Sequence, residues 1–432
     1  MTMNRRKFLS AGLGTAAALS IGQSKEASAR RQSSELAYRT ADVAIIGAGL
    51  FGSAAARYLS KENDGVVLIG PGEPKERRTH QGVFASHYDA SRLVRGIDPD
   101  PIWATMAIRS IDRYRGIEAE SGIGFYHDIG YMMVTPGGLG EDWFNLPVMR
   151  EVASDLGVGI EDLDDAALTG QFPYLDFTPG SSAVLQRQDA GYIDPRGLLE
   201  AQQAISVAQG TTLLRDEAVT LGRQGEQVEI GLRSGETVRA NRVLVATGAY
   251  ANATGLLPRK LNFKIRAAMI MESEVAPDTS AGYPTTLYAK TDGEEDFWGL
   301  LMPPIRYSDG KVYVKTMDGH YGPAPLDGFE ELGNWNRGNG HEDHHSVLRR
   351  ALREVFPSLE VLSTQFKPCL ICDTDSHYTY IDMLDERVGI VAGGNGKAAK
   401  SSDEIGRLAA GMISTQRWES SLPQDIFAAR IE

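Results

Sequence analysis

Residues 41–52 read Ala-Asp-Val-Ala-Ile-Ile-Gly-Ala-Gly-Leu-Phe-Gly, so a short apolar strand runs straight into a Gly-x-Gly-x-x-Gly turn. Each glycine has a mechanical duty there: Gly47 permits the tight turn, Gly49 lets the backbone approach a pyrophosphate, and Gly52 lets a following helix pack on the strand. Leu50 and Phe51 fall inside the turn, where the first amides and the positive end of the new helix hold phosphate. The helix-forming run 53–59 and the strand-like Val66-Val67-Leu68-Ile69 complete a β-α-β unit. That context turns a common glycine pattern into a dinucleotide clasp. An acid usually ends the second strand and holds the adenosine ribose. Here the position is Gly70, so either Glu73 reaches back or backbone groups take over.

In front of the clasp lies Asn4-Arg5-Arg6-Lys7-Phe8-Leu9-Ser10, a twin-arginine pattern, then the weakly apolar stretch 11–21 and the small residues Ala27-Ser28-Ala29. This is the pattern of a cleavable Tat signal, processed after Ala29, against the blander reading of a disordered basic tail. The apolar run is too short for a lasting membrane anchor. Tat machinery exports folded proteins, so the expected location is periplasmic or secreted. The formal charge of −13 becomes about −16 once Arg5, Arg6, Lys7, Lys25 and Glu26 are removed, which argues against nucleic acid or an anionic membrane as a partner. With the signal and the linker 30–40 removed, roughly 390 residues remain, too many for one core and suited to two domains.

Strand and helix signals alternate in a split arrangement. The expected boundaries are a signal at 1–29, a linker at 30–40, a nucleotide domain at 41–124, 190–258 and 361–432, and a second domain at 125–189 and 259–360. Asp194-Pro195-Arg196 opens a helix, with Pro195 suited to its first position. The buried-looking strand 242–246 and Thr247-Gly248-Ala249 return the chain to the nucleotide domain, while 266–272, 297–302 and 311–315 have β patterning. The Gly-, Asn- and Pro-rich stretch 323–345 reads as a long surface loop. Within it His341-Glu342-Asp343-His344-His345 suggests a metal, but acids in a helix's first turn explain it more simply, and no metal is expected.

The chain has two cysteines, Cys369 and Cys372. A thiol redox pair would need an exposed helix start, and metal binding would need further ligands. The stretch 369–382 is followed by the strand-like Val388-Gly389-Ile390-Val391-Ala392, then Gly393-Gly394-Asn395-Gly396 and a helix from Ser401. Together with the clasp, this order of motifs resembles the D-amino-acid-oxidase-like flavoenzymes, and within them the monomeric sarcosine oxidase and N-methyltryptophan oxidase group. The resemblance covers nearly all of the mature chain, with close matches at the clasp, 86–95, 242–249 and 369–402.

The fold this implies is α/β: a discontinuous Rossmann-like FAD-binding domain of the glutathione-reductase type, with an antiparallel-sheet α+β substrate domain. The resemblance implies FAD bonded through Cys369. It also places Ser86, Thr247, Gly248, Gly394, Asn395, Gly396 and Lys397 at the cofactor, beside Gly47, Gly49, Leu50, Phe51 and Gly52. In Ser86-His87-Tyr88-Asp89-Ala90-Ser91-Arg92-Leu93-Val94-Arg95 it puts Arg92 against the flavin and Arg95 on a substrate carboxylate, with the two on one side if this stretch is helical. The chain is one residue longer than the group between Asp89 and Arg92. Lys315 matches the lysine that activates oxygen over the flavin, and Lys397 and Lys400 flank the place of a second carboxylate-binding lysine. Phe297 and Trp298 stand in for a tyrosine-rich substrate wall and favour a bulkier, more apolar substrate, unless both belong to the core.

The expected activity is therefore an exported FAD-dependent amine oxidase. It would oxidise the C–N bond of a secondary or primary amine, such as an N-substituted amino acid, to an imine, with molecular oxygen reduced to hydrogen peroxide. Two alternatives stay open in the sequence. One is a dehydrogenase of the same fold that passes electrons to a carrier; the other is a flavin-bearing binding protein without turnover.

Overall fold

The computed structural model describes residues 38–136, 145–279, 282–290, 297–318 and 326–432. The twin-arginine segment, most of the linker, Asp296 and residues 323–325 lie outside these. Among the described residues no helix is long and apolar enough to cross a membrane.

Among the described residues two eight-stranded sheets carry the fold. In the first, Tyr38–Ile46 lies between Val66–Ile69 and Thr237–Val245, parallel to both, and Val388–Ala392 adds parallel to the outer side of Thr237–Val245. These strands are apolar on both faces because both faces are covered, as parallel sheets require. Helix Leu50–Leu59 follows the clasp on one face. Helix Ser402–Thr415 packs on it so closely that a Cβ at Gly406 would come within 2.4 Å of Ala54 Cβ. Buried Asp403 at the start of that helix accepts from Arg57 at 2.8 Å, Arg113 at 2.6 Å and Gln202 at 2.9 Å, tying it to three helices. Those three are Leu50–Leu59, Pro101–Ser121 and Pro195–Ala208. Asp194 caps the last of these, and Pro195 takes its first position.

The second sheet runs Ser363–Thr374, Phe263–Val275, Val312–Asp318, Phe297–Arg306, Thr285–Lys290, Tyr131–Pro136, Ser181–Gln186, Glu161–Leu163. It is antiparallel except where Thr285–Lys290 meets Tyr131–Pro136. Its outer face is covered by helix Glu342–Val355, whose Leu348, Leu352 and Val355 pack with Met269, Met271 and Phe297.

Three expectations change. Ser363–Thr374, expected with the nucleotide domain, pairs along its length with Phe263–Val275 as the edge of the second sheet. The stretch 323–345 is not one loop: Phe329–Arg337 is a helix that buries Leu332 and donates from Trp335 Nε1 to Cys369 O at 3.0 Å. Its Gly and Asn residues hid an apolar 329, 332, 335 stripe with helical spacing. The stretch 86–95 is a loop followed by a short strand, Arg92–Val94, paired with Gly191–Ile193, and not a helix.

Candidate functional site

The clasp has the geometry its sequence implies. Gly47 sits at φ +114°, and a Cβ there would lie 2.2 Å from Ala246 O; one at Gly52 would lie 1.9 Å from Gly47 O. Gly49 is different, because a Cβ there would meet nothing within 4 Å. The space in front of the helix is open, and no side chain caps that helix end. A ligand phosphate is the natural partner for such amides. Gly70 is also explained: a Cβ there would lie 2.5 Å from Ala48 N, so no acid fits at this position. Glu73 does not reach back; it forms two 2.6 Å bonds with Arg196.

Among the described residues, Thr247 Oγ1 and Asn395 Nδ2 are buried polar atoms without partners at positions expected to meet the cofactor. Asn395 is otherwise fixed: its backbone N donates to Cys372 O and its Oδ1 accepts from Thr374 N, both at 2.9 Å. Loop 394–397 is thereby docked on the strand that carries Cys369. An open phosphate cradle at one end and unpaired donor and acceptor groups further along fit a long dinucleotide such as FAD.

Register places the remaining groups on one face of the second sheet. Lys315 lies opposite Glu272 and Met302, Glu272 opposite Gln365, and Ala268 opposite Cys369. Directly paired residues share a face and alternate along each strand, so Cys369, Lys367, Glu272, Lys315, Met317, Leu300, Trp298 and Leu287 all point away from the outer helix. Phe297, by the same alternation, points to the outer core and is buried there. It is a packing residue, while Trp298 stays on the site's face.

Lys315 is 1% exposed and donates to Asp89 Oδ2 at 3.0 Å and to Ser91 O. Burial pushes its pKa well down, nearby Arg92 adds to that, and Glu272 opposes it. Arg92 pairs with the same Asp89 and donates to Ser86 O at 2.8 Å. Asp89 thus joins the loop from the first sheet to a lysine of the second. Glu272 is fully buried and takes bonds from Lys367 at 2.9 Å and Gln365 at 2.8 Å. Cys369 is half-buried and Cys372 buried, and both are free thiols.

Arg95 is not beside Arg92. In an extended chain residues three apart face opposite ways, and Arg95 goes to a separate cluster with Lys397, Lys400 and Asp98. Neither Asp89 nor Asp98 is among the residues expected at the site, although each stands three residues before or after the arginine it binds. His345 stacks on Phe366 at 3.5 Å and His341 lies 5.6 Å from Trp335, so these histidines pack; among the described residues no His, Cys, Asp and Glu group could hold a metal.

A dinucleotide clasp on a parallel sheet, faced by a second sheet with buried cations, is the architecture of a flavin-dependent oxidoreductase. The family model described as FAD dependent oxidoreductase (DAO) matches residues 42–412, and the chain belongs to that family. It is 21% identical over 393 residues to a monomeric sarcosine oxidase of Bacillus sp., covering 88% of this chain and 94% of that one. It is 24% identical over 387 residues to D-proline dehydrogenase of Pyrobaculum islandicum, covering 85% and 94%. The solved structure of NikD, an unusual amino acid oxidase essential for nikkomycin biosynthesis, shares the fold with a TM-score of 0.73 at 19% identity, over 91% of this chain and 98% of that one.

Proposed function

We propose that this FAD-dependent oxidoreductase is an exported amine oxidase, converting the C–N bond of a secondary or primary amine to an imine that water hydrolyses, with oxygen reduced to hydrogen peroxide. The observation that carries the reading is Lys315, a fully buried lysine on the wall facing the clasp domain, bonded at 3.0 Å to an acid from that domain. FAD, when bound, accepts the electron pair from the amine carbon and hands it on. Lys315 and Arg92 supply positive charge to that space. A cation made costly by burial gains most from a new anion beside it, so Lys315 is suited to stabilise negative charge that grows as oxygen is reduced. The same positive surround favours the neutral amine, so substrate activation requires no side-chain base. Gly47, Gly49 and Gly52 would hold the pyrophosphate, Thr247 and Asn395 the middle of the cofactor, and Cys369 its ring through a thioether. Export rests on the twin-arginine segment, and a tether suits a cofactor that cannot be replaced outside the cytoplasm.

The similarity to D-proline dehydrogenase supports a second reading, in which a carrier and not oxygen takes the electrons. Measuring peroxide against dye reduction with one active amine separates the two. The tether has its own test. Purified protein should be yellow and keep its flavin after acid precipitation, while Cys369→Ser should release it. Free flavin in the supernatant of the unmodified protein would sink the tether.

A further inference from the structure

Four ionisable side chains from two distant stretches meet beside the site, and one of them is an acid. Asp98 is fully buried, Lys400 2% and Arg95 3% exposed. Arg95 Nη2 donates to Asp98 Oδ2 at 2.8 Å and Lys397 Nζ to Oδ1 at 2.9 Å; Lys400 Nζ stands 3.9 Å from Oδ2. The backbone N of Asp100 adds a 3.2 Å bond to Oδ1. Both carboxylate oxygens are therefore engaged, and Arg95 also spends its Nε on Ile97 O at 2.8 Å.

The cluster adjoins the apolar wall. The Arg95 guanidinium lies 5.1 Å from the ring centre of Tyr131. Tyr131 is two residues before Met133, which pairs with Leu287, and Leu287 pairs with Leu300, so all four share one face. On that face Leu287, Trp298, Leu300 and Met317 are only half-buried, although they sit in mid-sheet.

We propose that Asp98 is a built-in carboxylate that fills this cation cluster, so that the amine oxidised here bears no carboxylate beside the reacting nitrogen and is held by its hydrocarbon part on the wall of Leu287, Trp298, Leu300 and Met317. The proposal rests on the amine-oxidase reading. A substrate carboxylate needs a cation with free donors and no anion nearby. Here the Nε and Nη2 edge of the Arg95 guanidinium is committed to Ile97 O and Asp98, and Asp98 would repel a second carboxylate brought to the neighbouring donors. The cations left over are reduced as well: burial, helped by Arg95 and Lys397, brings the Lys400 pKa down to about 7 against the opposing pull of Asp98. An apolar wall offers a hydrocarbon substrate burial in place of an ion pair.

The test titrates the purified holoprotein with acetate and benzoate, reading flavin absorbance and tryptophan fluorescence. The unmodified protein should show no saturable change, and Asp98→Asn should bind benzoate at least tenfold more tightly. Saturable carboxylate binding by the unmodified protein, lost in Arg95→Met, would overturn the proposal. Because Asp98→Asn could fail to fold, a second measurement uses only the unmodified protein. Anaerobic flavin bleaching is followed with amines paired to their carboxylated counterparts: benzylamine with phenylglycine, pyrrolidine with proline, phenethylamine with phenylalanine. Bleaching at least tenfold faster by the member without a carboxylate is expected, and the reverse order overturns the proposal alone. Bleaching by neither member of any pair overturns the amine-oxidase reading and the proposal with it.

Discussion

Lys315 and Lys400 are lysines of almost equal burial, 1% and 2% exposed, and burial lowers the pKa of both. They differ in what holds them. Lys315 bonds an acid directly at 3.0 Å and reaches it across two sheets. Lys400 stays 3.9 Å from an acid that Arg95 and Lys397 already bind, and its hydrogen bond is a 3.4 Å one to a carbonyl of its own loop. Burial alone therefore does not tell what a charged group is for. The acid it shares, and with how many competitors, does.

The largest effect expected from breaking this contrast is at Lys315. In Lys315→Met, oxygen-dependent turnover should fall by roughly 10²- to 10³-fold, the range for removing one well-placed electrostatic group, while anaerobic flavin reduction by the amine falls much less. Oxygen-electrode and stopped-flow rates check it, and unchanged oxygen reactivity would favour a carrier as acceptor. Next is Asp98→Asn, which leaves buried cations uncompensated and should cost about 3–5 kcal/mol, read by denaturant unfolding at pH 7. The Lys400 effect is a slope. With a folded pKa near 7 against about 10.4 unfolded, the folded state binds fewer protons between these values, so stability rises with pH across that window. Lys400→Met should flatten that rise, as unfolding at pH 7 and pH 9 would show; an unchanged slope would mean Lys400 does not titrate this way. The smallest effect belongs to the partly exposed Arg196–Glu73 pair, where Arg196→Ala should cost no more than about 1 kcal/mol. A larger loss there would blur the distinction between buried and surface charge.

The sequence made the local geometry legible. The clasp, the helix opening at Pro195 and the strand 388–392 follow from glycine, proline and apolar runs that act on their own neighbours. In the fold Lys315 and Cys369 share one face of the second sheet, Arg92 meets Lys315 through Asp89, and Arg95, Lys397 and Lys400 gather around Asp98. What the sequence concealed is non-local. Phe297 and Trp298 are adjacent, and only strand pairing decides which of them faces the site. Asp89 and Asp98 each bind an arginine three residues away, but the lysines that give them their place, Lys315 and Lys397, stand more than two hundred residues off in the chain. Gly70 lacks its acid because Ala48 occupies the space, a clash visible only once the clasp is folded.

The clasp has one more consequence, in time. Its sheet is completed by Val388–Ala392 and its helix is covered by Ser402–Thr415. During synthesis at about 5–20 residues per second, the roughly 340 residues between Gly52 and Val388 keep the emerging clasp waiting for on the order of 20 to 70 seconds. Until those segments leave the ribosome, the apolar surface that Val388–Ala392 and Ser402–Thr415 cover in the finished fold stays open, the kind of exposure that favours aggregation.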